Sequence, residues 1–186
     1  MSASPLNILG IAGSLRRSSY NHAALVAAQD LLPSGVSLEI FDLKGIPLFN
    51  QDTEHQPAAQ VTEFKKKIRE ADAILISTPE YNYSIPGVLK NAIDCASRPF
   101  GDSAWAGKPV AVMGASVGLF GTARAQYLLR QSFVSLDMYP VNIPEVMIGL
   151  ADKAFDADGK LIDEKAKKLI RQLMLSLTTW TRQLKK

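Results

Sequence analysis

Two glycines, three serines, two arginines and an asparagine fill residues 10–21, GIAGSLRRSSYN, between an apolar run and a helical pattern. A connection needs only two to six residues of turn chemistry, and this one carries more hydrogen-bond donors than a turn uses. Gly13, Ser14, Leu15, Arg16, Ser18, Ser19 and Asn21 surround the expected start of a helix near Ser19. The first amides of a helix lack intrahelical partners, and its dipole is positive at that end. Hydroxyls, free amides and a guanidinium gathered there make a site for a phosphate. Gly13 lets the backbone approach such a ligand closely. The plainer alternative is a serine that only caps the helix and arginines that only face water.

Two further stretches carry the same surplus. STPEYNYSIPGVLKNAIDCASR, residues 77–98, holds Glu80, Tyr81, Asn82 and Tyr83 between Pro79 and Pro86. The prolines fix φ on both sides, and Pro86 suits the first turn of the helix that follows. Tyrosines beside free amides suit a planar heterocycle, packing on its face or edge while amides bond its heteroatoms. GASVGLFGTARAQ, residues 114–126, is small and adaptable through Gly114, Ser116, Gly118 and Gly121. Its glycines serve either a ligand or a tight exit from a strand.

Other chemistry is poorly supplied. No Gly-x-x-x-x-Gly-Lys-Ser/Thr or Gly-x-Gly-x-x-Gly pattern is present, so neither a P-loop nor an ordinary dinucleotide loop is expected. Ala12 and Gly13 stand where a phosphorelay receiver would place acids. Cys95 is the one cysteine, so no intrachain disulfide exists, and it reads as a small buried apolar residue. His22 and His55 receive no role, no metal set is expected, and DADGK at 156–160 reads as a turn and not a calcium loop.

These stretches need elements to position them. Apolar runs predict strands over 7–12, 37–42, 73–77, 110–114 and 139–143. Helical patterns predict helices over 21–32, 58–70, 87–98, 122–136 and 160–184. Strict alternation means an α/β fold, a doubly wound five-stranded parallel sheet with helices on both faces and strand order 2-1-3-4-5. The three unusual loops then follow strands 1, 3 and 4, around the point where the winding reverses. The 186 residues fit a single domain, 1–186, with a formal net charge of +3 that decides little about partners. The basic run EFKKKIRE reads as the solvated face of a helix, so no nucleic acid is expected. No membrane segment or signal peptide is evident, and a cytoplasmic location is expected.

GSLRRSSYN, PEYNYSIPGVLKNAIDCASR and GTARAQYLLRQ closely resemble the NAD(P)H-dependent FMN reductase family, across roughly residues 6–150. The best match is its branch of bacterial quinone reductases that also reduce chromate and azo dyes. The resemblance implies a flavodoxin-like fold, FMN as cofactor and NADPH or NADH as donor. It implies that Ser14, Arg16, Ser19 and Asn21 hold the FMN phosphate, with Gly13 and Leu15 also among the cofactor-binding residues. Pro79, Glu80, Tyr81, Asn82 and Tyr83 would line the isoalloxazine and ribityl chain, with Ser116 and Gly118 close to the flavin. Where the family has a glycine pair, this chain has Gly121-Thr122. The implied cycle is ping-pong: hydride passes from NAD(P)H to flavin N5, then on to a quinone, with chromate, azo dyes or free flavin as further acceptors. The flavin does this chemistry, so no catalytic side chain is expected. A homodimer or homotetramer is implied, with Tyr83, Arg124, Tyr127 and Glu145 as contacts. A flavodoxin-type electron carrier or an FMN-containing redox sensor is the alternative. Carriers are usually acidic, and this chain is mildly basic.

Overall fold

The computed structural model describes residues 4–185. Its elements are β1 (Leu6–Ala12), α1 (Tyr20–Gln29), β2 (Val36–Phe41), α2 (Ala59–Glu70), β3 (Ala73–Ser77), α3 (Gly87–Ser97), β4 (Pro109–Ala115), α4 (Ala123–Ser135), β5 (Tyr139–Pro140), β6 (Val146–Ile148), α5 (Ala151–Ala154) and α6 (Glu164–Leu184). All strand pairings are parallel, in the order β2-β1-β3-β4-β5, with β6 also on β4. The expected winding is therefore present, and its reversal falls between β1 and β3.

Strand alternation sends successive side chains to opposite faces. Ile8, Leu75 and Met113 pack beneath α1 and α6 with Leu25, Ile170, Leu173 and Leu177. Leu9, Ile11, Ile74, Ile76 and Val112 pack on the other face with Phe64, Leu89, Ile93, Trp105, Leu129 and Phe133. Every residue of β3 and β4 is buried, which explains their unbroken apolar runs.

The structure departs from expectation in three places. The fifth strand, expected over 139–143, is two short pieces sharing one position beside β4: Tyr139 pairs with Pro109, and Val146 with Met113. The Val141 amide still donates to the Val110 carbonyl at 2.8 Å, and beyond it the chain leaves the ladder ahead of Pro144, which has no amide to give. The last helix begins only at Glu164, because Asp163 caps it by accepting from the Ala166 amide at 2.6 Å. Ahead of it, the Asp156 side chain accepts from the Asp158 and Lys160 amides, making the DADGK segment a tight turn. The basic face of α2 is not wholly solvated either. Lys65 is buried, and its ammonium donates to the Arg98 carbonyl and to Asp102 Oδ2 at 2.6 Å. Arg69 adds a second donor to Asp102, and together the cations hold that carboxyl below the ordinary aspartate range.

Candidate active site at the strand ends

The first loop leaves β1 against the end of β3, where the Gly13 amide donates to the Ser77 carbonyl at 2.8 Å. A Cβ on Gly13 would lie 3.2 Å from both Leu89 and Pro79, so this position has no room for a larger residue without a shift. Beyond it, Ser14 Oγ accepts from the Arg16 amide and Ser18 Oγ from Arg16 Nε at 3.0 Å. Arg16 is thereby steadied through one of its five donors, and its terminal nitrogens remain for an anion. Ser19 does cap α1, accepting from the His22 amide at 3.3 Å, and it also lines the cleft.

Asn21 does something the sequence did not suggest. It is buried at the start of α1, and its side chain spans the ends of two strands. Its Oδ1 accepts from the Ala115 amide at 2.9 Å and from Ser77 Oγ at 3.1 Å, while Nδ2 donates to the Ala115 carbonyl. The oxygen is fully used inside the protein, leaving one amide hydrogen for a ligand.

The second loop is a two-residue hairpin. Tyr81 and Ser84 exchange backbone hydrogen bonds at 3.0 and 2.9 Å, and Asn82 (φ 51°) and Tyr83 (φ 65°) both occupy the left-handed region between them. Asparagine tolerates that conformation and tyrosine resists it. The hairpin leaves the Asn82 and Tyr83 amides at its tip. Glu80, just before it, turns away from the tip. Its Oε2 accepts from the amides of Arg124 and Ala125 at 2.9 and 3.2 Å, and its Oε1 from Arg124 Nε at 2.5 Å. The Arg124 guanidinium then lies 3.8 Å over the Tyr83 ring.

The third loop is braced rather than adaptable. The Ser116 amide donates to the Ile148 carbonyl, and the amides of Leu150 and Ala151 donate back to Gly118 and Ser116. Gly121 has φ +60°, and a Cβ on Gly149 would meet the Leu119 carbonyl at 2.3 Å. Thr122 is fully buried under β4 and accepts from Gln126 Nε2. It faces packing and not the cleft.

Ser14, Arg16, Ser19, Asn21, Pro79, Glu80, Tyr81 and Ser116 meet around one cleft of about 200 Å³. Tyr20, Ala115 and Val117 also line it, and only their places beside strand ends could have revealed them. Leu15 lines a neighbouring depression with Arg16, Arg17, His22, Asp42 and Lys44. Asn82, Tyr83 and Gly118 lie outside both cavities, on the exposed rim. Tyr127 and Glu145 are neighbours on the α4 side, where hydrogen bonding to Glu145 raises the Tyr127 phenol above its ordinary range. Cys95 is distant from this site and donates to the Pro47 carbonyl; burial pushes its thiol pKa up. Among the described residues, no group of His, Cys, Asp and Glu could hold a metal ion, and no helix is long and apolar enough to cross a membrane.

Comparison with known proteins identifies the family. Residues 6–153 match the NADPH-dependent FMN reductase family. An NAD(P)H-dependent FMN reductase of Pseudomonas aeruginosa is 55% identical, with 97% of each chain covered. A 2-hydroxy-1,4-benzoquinone reductase of a Burkholderia species is 44% identical over 95% of this chain and 97% of its own. The solved structure of FerB, a flavoenzyme NAD(P)H:(acceptor) oxidoreductase of Paracoccus denitrificans, superposes with a TM-score of 0.87 at 34% identity, covering 96% of this chain and 98% of that one.

Proposed function

Because the chain belongs to the NADPH-dependent FMN reductase family, we propose that the cleft at the ends of β1, β3 and β4 is its FMN site and that quinones are its acceptors. As a member of that family it is an NAD(P)H-dependent oxidoreductase with FMN as cofactor. The observation that carries the site is the convergence of a phosphate-suited loop, a rigid amide-bearing hairpin and a braced serine loop on one cleft.

The residues present fit FMN. Ser14, the steadied Arg16 and the open amides at the start of α1 suit a phosphate dianion. The close wall between Gly13, Pro79 and Leu89 keeps the first and second loops side by side, as a ligand reaching from one to the other requires. When bound, FMN supplies two-electron transfer from NAD(P)H to an acceptor, a quinone becoming a hydroquinone as two protons are taken up. The chain's part is to hold and to shape. Arg16 and Ser14 would anchor the phosphate, with Asn21 supporting that loop from beneath. Tyr81 and Pro79 would wall the ring. The Asn82 and Tyr83 amides would meet the charge that collects on the ring edge, as oxyanion donors do. Ser116 and Gly118 would border the open face, where donor and acceptor take turns in a ping-pong order. An open face of this kind also admits chromate and azo dyes.

The test is anaerobic bleaching of protein reconstituted with FMN and gel-filtered. We expect retained flavin absorbance, fast bleaching by NADPH or NADH, and recovery on adding a quinone. Retained flavin that never bleaches would make the protein a carrier or sensor. Loss of flavin on the column would overturn the site.

A further inference from the structure

We propose that Glu80 is a positioning residue: its carboxylate caps α4 from the ring loop and so fixes the Tyr81–Ser84 hairpin, without the carboxylate itself contacting the flavin. The flavin part of this rests on the FMN reading above; the capping part does not.

Helix α4 lacks a cap of its own. Thr122 precedes it, but the Thr122 hydroxyl is buried and accepts from Gln126, and no side-chain bond from Thr122 reaches the first-turn amides. Glu80, 44 residues earlier in sequence, accepts from two of those amides instead. Its side chain is only 6% exposed. A buried carboxylate needs compensation for lost water, and here three donors supply it: the amides of Arg124 and Ala125 and the Arg124 guanidinium. The positive end of the α4 dipole adds to them. With both oxygens engaged, Glu80 has little capacity left for a ligand.

The geometry closes on itself. Glu80 holds Arg124, Arg124 covers the Tyr83 ring, and Tyr83 is the hairpin residue in the conformation tyrosine resists. The cap and the stacked cation together hold the tip amides of Asn82 and Tyr83 in one arrangement. The pairing also controls charge. Glu80 would place a buried negative charge beside a cofactor that gains electrons, and Arg124 cancels it. Removing either partner should therefore move the flavin potential, in opposite directions.

The experiment compares Glu80→Ala, Glu80→Gln and Arg124→Ala with the unaltered full chain. Amide exchange by NMR, without and with FMN, reads the cap. Flavin fluorescence titration and dye-equilibrated potentials read the site. In Glu80→Ala we expect the Arg124 and Ala125 amides to exchange about two- to thirtyfold faster, the range set by loss of a helix cap, and FMN affinity to fall. Glu80→Gln keeps an acceptor oxygen and should restore slow exchange and most of the affinity while raising the potential. Arg124→Ala should lower the potential. Unchanged exchange at Arg124 and Ala125 in Glu80→Ala would overturn the cap. Unchanged potentials in both Glu80→Gln and Arg124→Ala would overturn the charge argument. If the unaltered protein fails to hold FMN, the cofactor reading falls, and the exchange result still decides the cap.

Discussion

The Arg16 side chain meets its own loop through a single hydrogen bond to Ser18, which leaves most of its guanidinium facing outward. A charged hydrogen bond contributes about 1.5–3 kcal/mol, so Arg16→Ala should weaken FMN binding by roughly 10- to 150-fold, read by fluorescence titration. Full retention of affinity would remove Arg16 from the phosphate site. Gly114 is constrained in a different way, by space. A Cβ there would fall 2.0 Å from Thr122 Oγ1 and 2.3 Å from the Thr78 carbonyl. Gly114→Ala should therefore destabilise the protein by about 2–4 kcal/mol, seen as a lowered midpoint in urea. At this scale the sequence was partly legible. The start of α1 near Ser19 could be read locally, with its capping as the plainer alternative, whereas Gly13, read as a close approach to a ligand, is hemmed in by Leu89, Pro79 and Pro86. Asn21 could not, because its partner Ala115 lies 94 residues away. The Glu80 contacts with α4 were hidden for the same reason.

Elements were read more easily than their ends. Unbroken apolar runs announced β3 and β4, since both faces of each strand are covered. The fifth strand starts at Tyr139 as expected and takes its expected place beside β4, but its end was missed, because the run gives no sign of where the ladder lets go. Lys65 shows the limit of pattern reading in α2. Its neighbours Phe64 and Ile68 face the sheet, and Lys65 sits at the flank where the segment after α3 folds over it. That ion pair carries a pH dependence. Lys65 and Arg69 hold the Asp102 carboxyl below its ordinary pKa of about 3.9. A depressed carboxyl contributes stability fully above that value and loses it as pH falls through the folded-state value. Thermal melts should therefore fall more steeply below about pH 4 in the native protein than in Asp102→Asn. Parallel curves would mean the pair adds nothing to folding.

On the scale of the whole molecule, the rim of the cleft is unusually apolar. Tyr83, Val117, Leu119 and Phe120 are all exposed around it. Exposed apolar side chains grouped in this way suit a contact surface. Association of copies through this rim would cover it, with Arg124, Tyr127 and Glu145 nearby on the α4 side. Light scattering should then give a mass of at least twice the 20.3 kDa of one chain, and Phe120→Asp should shift it toward the monomer. A monomer at all concentrations would refute the assembly.

The broken fifth strand limits what form such association can take. A sheet with an open edge invites strands of other molecules to add to it and grow into aggregates. Here that edge is two residues at β5 and three at β6, separated by a stretch that leaves the ladder and bracketed by Pro140 and Pro144. A neighbouring strand would find few amides in register and no long run to follow. The interruption thus guards the protein against growing by backbone pairing on this side, and leaves side chains of loops and helices to choose its partners.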